Sequence, residues 1–179
     1  NHTEWDVASS NLTRYYYAGS TRVAMRKNNT VYYLLSDHLG STSLTTDQNG
    51  QNPVKQYYLP WGEVRYTDGT LQTKYTYTGQ YSNVTDFGLM FYNARYYDSA
   101  LGRFTQADTV VPQPGNPLDW DRYGYTKNNP INYTDPSGHM AWEGDGGDET
   151  AAELAYNQQR LERLYCQAGN TIYFSAAEF

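Results

Sequence analysis

The stretch that decides the fold runs from Arg95 to Gly138 and reads RYYDSALGRFTQADTVVPQPGNPLDWDRYGYTKNNPINYTDPSG. It ends with two turn sequences, Asn128-Asn129-Pro130 and Asp135-Pro136-Ser137-Gly138, on either side of the strand-like piece 131–134. Asn tolerates left-handed backbone angles, Pro presets φ, and Gly takes positive φ. The stretch therefore predicts short, rigid loops that fix several carboxylates and arginines in place. We expect a functional site there.

From Asn11 to Tyr81 the sequence alternates between short β-rich runs and turn residues. The runs are 13–17, 30–35, 41–45, 54–59 and 74–78, and the separators between them contain Asn, Asp and Gly. Strand formers between such turns are typical of consecutive hairpins. No convincing helical period occurs before residue 140. We therefore predict an all-β fold.

Tyr-Tyr pairs recur at 15–16, 32–33, 57–58 and 96–97. Such imperfect self-similarity favours a repeat architecture in which each hairpin buries one face against its neighbours. An ordinary Tyr-rich β-sandwich is the alternative. In either case, alternation along a strand places one ring of each pair on each face of the sheet.

The composition limits the function classes. A chain of 179 residues forms one domain or a part of one. The net charge of −6 is concentrated in residues 140–179, with 7 acids against 2 bases, and no basic patch favours nucleic acid as a partner. No apolar run is long enough to span a membrane. A single cysteine, Cys166, and three scattered histidines predict neither a disulfide framework nor a metal site, and we expect no cofactor.

Several segments in a fixed order resemble the RHS/YD-repeat proteins, and in particular their RHS repeat-associated core domain. They are YYLLSDHLGST at 32–42, YLPWGEVR at 58–65, TGQY at 78–81, GLMFYNARYYD at 88–98, LGRFTQAD at 101–108 and the closing turns of 128–138. The resemblance covers roughly residues 14–139.

The resemblance implies a role. RHS proteins wind their YD repeats into a β-shell that encloses a variable C-terminal toxin, and the core segment plugs the shell. In many members the core cuts its own chain just after the last Asp-Pro-x-Gly, in an aspartyl-protease-like reaction. A complete shell needs far more residues, so this chain would supply only the closing turns and the plug.

The expected organisation follows. Residues 1–95 would form YD-repeat β-hairpins, part of the β-shell. Residues 96–139 would form the loop-rich core or plug with an autoproteolytic site. Residues 140–179 would form an acidic linker and the short helical start of the variable C-terminal region, with a helix over 149–168. The implied partners are the upstream YD repeats, the C-terminal cargo and secretion machinery, and the implied location is secreted or at the bacterial cell surface.

The candidate catalytic residues are carboxylates. Asp108 and Asp135 match the aspartates of the family's two Asp-Pro motifs, and two carboxyl groups at close range can divide general acid and base roles. The alternative is that both are Asx-turn residues that bond nearby backbone N–H groups. Asp108 departs from the motif because Thr109 follows it where Pro is usual. Asp119 or Asp121 is an alternative second carboxylate.

Arg103, in the Gly-Arg-Phe motif, is a candidate for orienting a catalytic carboxylate. The alternative for Arg103 is a plain structural ion pair with Asp98 or Asp108. The cleavage site implied by the resemblance lies between His139 and Met140, and His139 stands where a Leu is usual.

Three functions remain open from the sequence. The first is a shell-closing core whose only chemistry is cleavage of its own chain. The second is a non-catalytic structural module. The third is a surface module that binds carbohydrate or protein through exposed aromatic faces. His38, in the turn sequence DHLG at 37–40, has no nucleophile motif nearby, and we interpret it as structural.

Overall fold

Seven strands follow one another in a single antiparallel sheet, the meander sheet. The computed structural model describes residues 2–6, 11–109, 115, 117–139 and 141–143. The strands are β1 His2–Asp6, β2 Asn11–Ala18, β3 Thr21–Lys27, β4 Thr30–Ser36, β5 Thr42–Asp47, β6 Val54–Tyr58 and β7 Val64–Asp68. Each strand pairs with the next one along the chain, as consecutive hairpins require.

Left-handed turn residues close the hairpins. Asn28 and Asn29, with φ of 48° and 69°, connect β3 to β4. Positive φ at both central residues is the condition for a turn whose twist matches the flanking strands. After β5, the Asp47 carboxylate accepts hydrogen bonds from the N–H groups of Asn49 and Gln51 at 2.9 Å each.

The two faces of the meander sheet differ in burial. Tyr15, Met25 and Leu34 form a buried cluster on one face. On the other face, Tyr33 and Tyr57 are about half exposed. Neighbouring tyrosines such as Tyr33 and the partly buried Tyr32 thus point to opposite faces, as the sequence predicts.

The described residues between 73 and 139 form a second region, the aromatic module. It contains the four-stranded sheet β8 Tyr81–Asn83, β9 Leu89–Tyr92, β10 Arg95–Asp98 and β11 Arg103–Phe104, in the order β11-β10-β9-β8. The remaining elements of this region are the helical turn α1 Val84–Phe87, the 3-10 turns Tyr77–Gly79, Pro117–Trp120 and Thr126–Asn128, and the strand β12 Tyr133–Thr134. β12 pairs with β13, Trp142–Glu143.

The core of the aromatic module consists largely of tyrosine rings. Its buried members are Tyr77, Met90, Tyr92, Tyr97, Phe104 and Tyr125. Tyr97 and Tyr125 have ring centroids 4.5 Å apart, and such pairs contribute about 0.5–1.5 kcal/mol beyond their area burial. The hydroxyl of Tyr97 donates to the Trp61 carbonyl at 2.8 Å, and that of Tyr77 donates to the Pro60 carbonyl at 2.7 Å. These bonds fasten the module to the turn between β6 and β7.

The all-β prediction is confirmed, because the described residues contain only one α-helical element, of 4 residues. Within that part of the chain no helix is long and apolar enough to cross a membrane. β10 begins at Arg95, so the expected boundary after residue 95 falls within the four-stranded sheet. The helix expected over 149–168 lies outside the described residues.

Candidate functional site

Arg95 is the centre of a buried polar cluster in the aromatic module. It opens β10 opposite Tyr92 and is only 6% exposed. Its guanidinium carbon lies 3.6 Å from the centroid of the Phe104 ring, and its Nη1 donates to the Arg122 carbonyl at 2.9 Å. Burial lowers the pKa of Arg95, while the nearby carboxylates Asp108 and Asp135 act to raise it. A buried guanidinium of this kind needs charged partners to be stable.

Those partners are the carboxylates of Asp108 and Asp135. Arg95 Nη2 lies 2.8 Å from Asp108 Oδ2 and 3.5 Å from Asp135 Oδ2. Both aspartates are buried, at 4% and 3% exposed. One guanidinium nitrogen therefore brings together two carboxyl groups that are far apart in the sequence.

The backbone around Asp108 is fixed by a reciprocal pair of bonds. The Asp108 N–H donates to the Arg122 carbonyl at 2.8 Å, and Arg122 Nε donates to the Asp108 carbonyl at 2.6 Å. These bonds hold Asp108 in place although Thr109 follows it instead of the usual Pro.

The turn 135–139 wraps its backbone around the Asp135 side chain. Asp135 Oδ1 accepts bonds from the Gly138 N–H at 2.8 Å, the His139 N–H at 3.1 Å and the Ser137 hydroxyl at 3.2 Å. This is the Asx-turn chemistry that the sequence offered as an alternative, and it coexists with the ion pair to Arg95.

Gly138 is required where it stands. Its φ is +76°, and a Cβ there would lie 2.2 Å from the Tyr92 carbonyl oxygen. The Gly138 carbonyl accepts a hydrogen bond from Arg95 Nε. The turn is thus pressed against β9 and β10, and no larger residue fits.

His139 is held at both its backbone and its side chain. Its N–H bonds to Asp135, and its ring Nδ1 lies 2.7 Å from Asp108 Oδ1. The residue before the expected cleavage point therefore contacts both candidate carboxylates.

A cleft of about 50 Å³ opens beside these groups. Arg95, Asp108, Asp135 and His139 line it, together with residues of the 118–128 segment and Ala141. A cavity needs about 10–15 Å³ of such volume to hold a water molecule, so the cleft has room for at least one. The arrangement can therefore hold a water molecule next to two carboxyl groups and the residue before the expected cut.

Arg103 pairs with Asp121, one of the candidate carboxylates. Its Nη2 contacts both carboxylate oxygens of Asp121, on the exposed surface. The contact that the structure describes is thus with a candidate carboxylate, Asp121, and differs from the alternative ion pair with Asp98 or Asp108. Asp98 lies opposite Arg103 in the strand register. The Asp98 carboxylate instead accepts hydrogen bonds from the N–H groups of Ala100 and Leu101.

The other sequence candidates are distributed as follows. Asp121 lines the same cleft but pairs with Arg103. Asp119 lies in the 3-10 turn Pro117–Trp120, and its side chain is outside what the structure describes, as is the whole of Met140. His38 Nε2 bonds the Ile131 carbonyl at 3.1 Å, which fits a structural role.

The sequence reasoning missed Arg95. Alternation along the strand sequence places Arg95 on the same face as the aromatic Tyr97, and in the structure both residues are buried. A charge on the core face of a strand needs a buried partner. Among the described residues, no group of three or more His, Cys, Asp or Glu side chains is arranged to hold a metal ion.

Comparisons with known proteins agree with this architecture. Residues 3–131 match the family described as Teneurin YD-shell. The chain is 30% identical over 141 residues to the tRNA3(Ser)-specific nuclease WapA of Bacillus spizizenii, and the match covers 75% of this chain and 6% of that protein. It is 34% identical over 133 residues to salivary gland surface protein 1 of Aedes aegypti, covering 73% of this chain and 4% of that protein.

A solved structure shows the same fold. The Photorhabdus luminescens Tc holotoxin pore matches with a TM-score of 0.63 at 23% identity, over 74% of this chain and 6% of the solved chain. This chain thus spans only a small fraction of the proteins it matches. The family match extends over well more than half of the sequence, and the chain belongs to the Teneurin YD-shell family of RHS/YD-repeat shell proteins.

Proposed function

We propose that this chain closes an RHS-type shell and cleaves its own backbone between His139 and Met140, which releases the C-terminal region. The observation that carries the proposal is the convergence of Asp108 and Asp135 on Arg95 Nη2, with both carboxylates also bonded to His139. A structural ion pair alone does not require contact with the residue before the cut.

The chemistry suits peptide hydrolysis. A water molecule in the cleft would attack the His139 carbonyl carbon while one carboxylate takes its proton and the other carboxyl group supplies a proton to the leaving amide nitrogen. Groups that act as general acid or base typically contribute about 10²–10⁴-fold to rate. Arg95 offsets the repulsion between the two carboxyl groups, and the Asp135 turn fixes the backbone next to the cut.

The shell-closing role rests on the fold. β1 and β7 each pair on one side only within the described sheet. These open edges suit continuation by further YD repeats, and the expected partners are the upstream repeats and the C-terminal cargo. The similarity to the Tc holotoxin pore and to toxin subunit YenC1 of Yersinia entomophaga supports association with other shell and toxin components and a secreted or surface location in bacteria. Delivery by secretion machinery is expected from the RHS resemblance.

A second candidate function is a purely structural plug. It is favoured by the three hydrogen bonds on Asp135 Oδ1, which complete the turn without any need for chemistry. In that case the cluster around Arg95 would only lock the turn against β10.

Intact mass spectrometry of the natural polypeptide that contains this chain distinguishes the two candidates. We expect the wild type to be cut at His139–Met140, and Asp108→Asn and Asp135→Asn to stay whole, because Asn keeps the shape but cannot exchange a proton. Asp121→Asn is the matched control, since Asp121 lines the same cleft but pairs with Arg103, and we expect it to be cut like the wild type.

The measured masses also separate enzymatic cleavage from acid hydrolysis at Asp135-Pro136, which would give different fragments. A wild type that stays in one piece would leave the structural plug as the function. If Asp121→Asn alone abolished cleavage, Asp121 would replace Asp135 as the second carboxyl group.

A further inference from the structure

The two carboxyl groups of the site have different kinds of partner. The donors on Asp135 Oδ1 are two backbone N–H groups and a hydroxyl. Asp108 has Arg95 on Oδ2 and the imidazole of His139 on Oδ1, at 2.8 and 2.7 Å. Of these partners, only the imidazole exchanges a proton readily near neutral pH.

This difference matters for acid–base chemistry. A proton placed between Asp108 Oδ1 and His139 Nδ1 can reside on either atom, so the pair keeps it as a unit. The three hydrogen-bond donors on Asp135 Oδ1 stabilise negative charge on the Asp135 carboxylate. Arg95 stabilises negative charge on both carboxyl groups, so it does not set their roles. The site therefore holds one group suited to accept a proton and one pair suited to give a proton.

We propose that His139 is a positioning residue that stores a proton together with Asp108, so that Asp108 acts as the acid and Asp135 as the base of the cut, and cleavage extends to neutral pH. This inference rests on the proposed function, because it assigns roles within that same site. It also assigns a role to the imidazole at a position where the family resemblance leads one to expect Leu.

The proton balance is complete without any co-reactant. Water adds to the His139 carbonyl carbon, and its proton passes to Asp135. The proton stored by Asp108 and His139 goes to the amide nitrogen of Met140 as the C–N bond breaks. The products are a new carboxyl group on His139 and a new amino group on Met140.

Other charged groups face the pair. Arg95 comes from β10 and Asp135 from the same turn as His139, while Asp121, Arg122 and Lys127 line the cleft from the preceding loop. Histidine is the side chain that ordinarily changes charge between about pH 5 and 8, whereas carboxylates, guanidinium and ammonium groups ordinarily do not. The pH dependence of the cut in this range is therefore assigned to the Asp108–His139 pair.

The test is the pH profile of cleavage. The natural polypeptide that contains this chain is collected unfolded from freshly induced cells, diluted into native buffers from about pH 5 to 9, and followed by intact mass. For the wild type we expect a rate that falls only above the range where imidazole loses its proton.

Two substitutions at His139 and one control complete the design. In His139→Leu and His139→Asn the decrease in cleavage rate should begin at lower pH than in the wild type. Cleavage at neutral pH should then be slower by about tenfold or more. Asn can still donate to Asp108 but cannot store the proton, which separates hydrogen bonding from proton storage. His38→Leu is the matched control and should keep the wild-type profile, because His38 bonds the Ile131 carbonyl and is not among the residues that line the cleft.

The outcomes are distinguishable. If the His139 variants are cut with the wild-type pH profile, this inference is wrong and the proposed function stands. If the wild type is cut at no pH, the proposed function fails and the inference fails with it. Near-UV circular dichroism of the buried tyrosines shows whether each variant is folded. A second measurement uses the Asp135→Asn chain, which should stay uncut. In this chain NMR should find the ring hydrogen of His139 on Nδ1. In the double variant with Asp108→Asn, the hydrogen should no longer prefer Nδ1.

Discussion

The meander sheet and the aromatic module bury their side chains in different ways. The sheet has a small apolar cluster of Tyr15, Met25 and Leu34 on one face, and its last strand, β7, is exposed along its whole length. The module buries five aromatic rings and a methionine almost completely and adds a charged cluster beside them. The described sheet thus has two open edge strands, whereas the module has a filled aromatic core that also packs against Tyr58 and Trp61.

This difference shows where function can reside. A strand array with open edges offers a surface that further repeats can cover, and the buried polar residues of its described strands, Thr42 and Thr45, carry no charge. The module has a rigid aromatic core, and that core is what allows Arg95 and two carboxylates to be buried with defined geometry. The predictions below test this contrast between the two regions.

The largest effect is expected at alkaline pH. Burial raises the pKa of Tyr77, Tyr92, Tyr97 and Tyr125 above the ordinary value of 10.0. Above pH 10 the unfolded chain releases protons that the folded chain keeps, so stability is fully present below that pH and falls as pH rises. The loss is about 1.4 kcal/mol per pH unit for each tyrosine in this range.

We therefore expect the module to unfold cooperatively above pH 10, with tyrosinate absorbance and near-UV circular dichroism changing together. In the sheet core, burial raises the pKa of Tyr15 to about 12. If the tyrosines instead ionised gradually while the near-UV signal stayed unchanged, the rings of the module would be accessible to solvent. The proposed difference in burial between the module and the sheet would then be wrong.

The next largest effect is expected for Arg95→Met. The substitution keeps most of the apolar stem but leaves Asp108 and Asp135 buried without their cation, which typically costs about 3–5 kcal/mol. Denaturant unfolding measures this loss. Arg103→Met is the control, because the exposed pair with Asp121 should contribute no more than about 1 kcal/mol. Equal losses in the two variants would contradict the assignment of Arg95 as the centre of the cluster.

A smaller effect is expected for Tyr97→Phe. The ring stays, but the Trp61 carbonyl loses the donor that lies 2.8 Å away, and a lost hydrogen bond of this kind costs about 1–2 kcal/mol. Tyr57→Phe, on the exposed face of the sheet, should change the unfolding free energy by less than about 0.5 kcal/mol. A larger loss for Tyr57→Phe than for Tyr97→Phe would reverse the comparison.

Much of this fold can be predicted from local sequence. Asn and Gly at the turns specify the hairpins, and alternation within the Tyr pairs specifies the two faces. The family motifs indicate Asp108 and Asp135 as candidate carboxylates, with Asp119 and Asp121 as alternatives for the second one. These features depend on neighbours in the sequence or on a recognisable motif order.

The remaining features depend on distant contacts. Arg95 reaches Gly138, 43 residues away, and no local pattern indicates that contact. The contact between Arg103 and Asp121 is not indicated locally, because Asp98 faces Arg103 in the strand register yet uses its carboxylate to close its own turn. The bond between His139 and Asp108 could not be predicted from the sequence either, because it requires the closing turn to fold back onto the module.

The most direct test of the central claim is cleavage in water enriched in the heavy oxygen isotope. If Asp108 and Asp135 activate a water molecule, the wild-type fragment that ends at His139 will carry one heavy oxygen in its new carboxyl group. Asp121→Asn will give the same labelled fragment, and Asp108→Asn will remain a single chain. An uncut wild type, or an equal amount of labelled fragment from Asp108→Asn, would contradict the account.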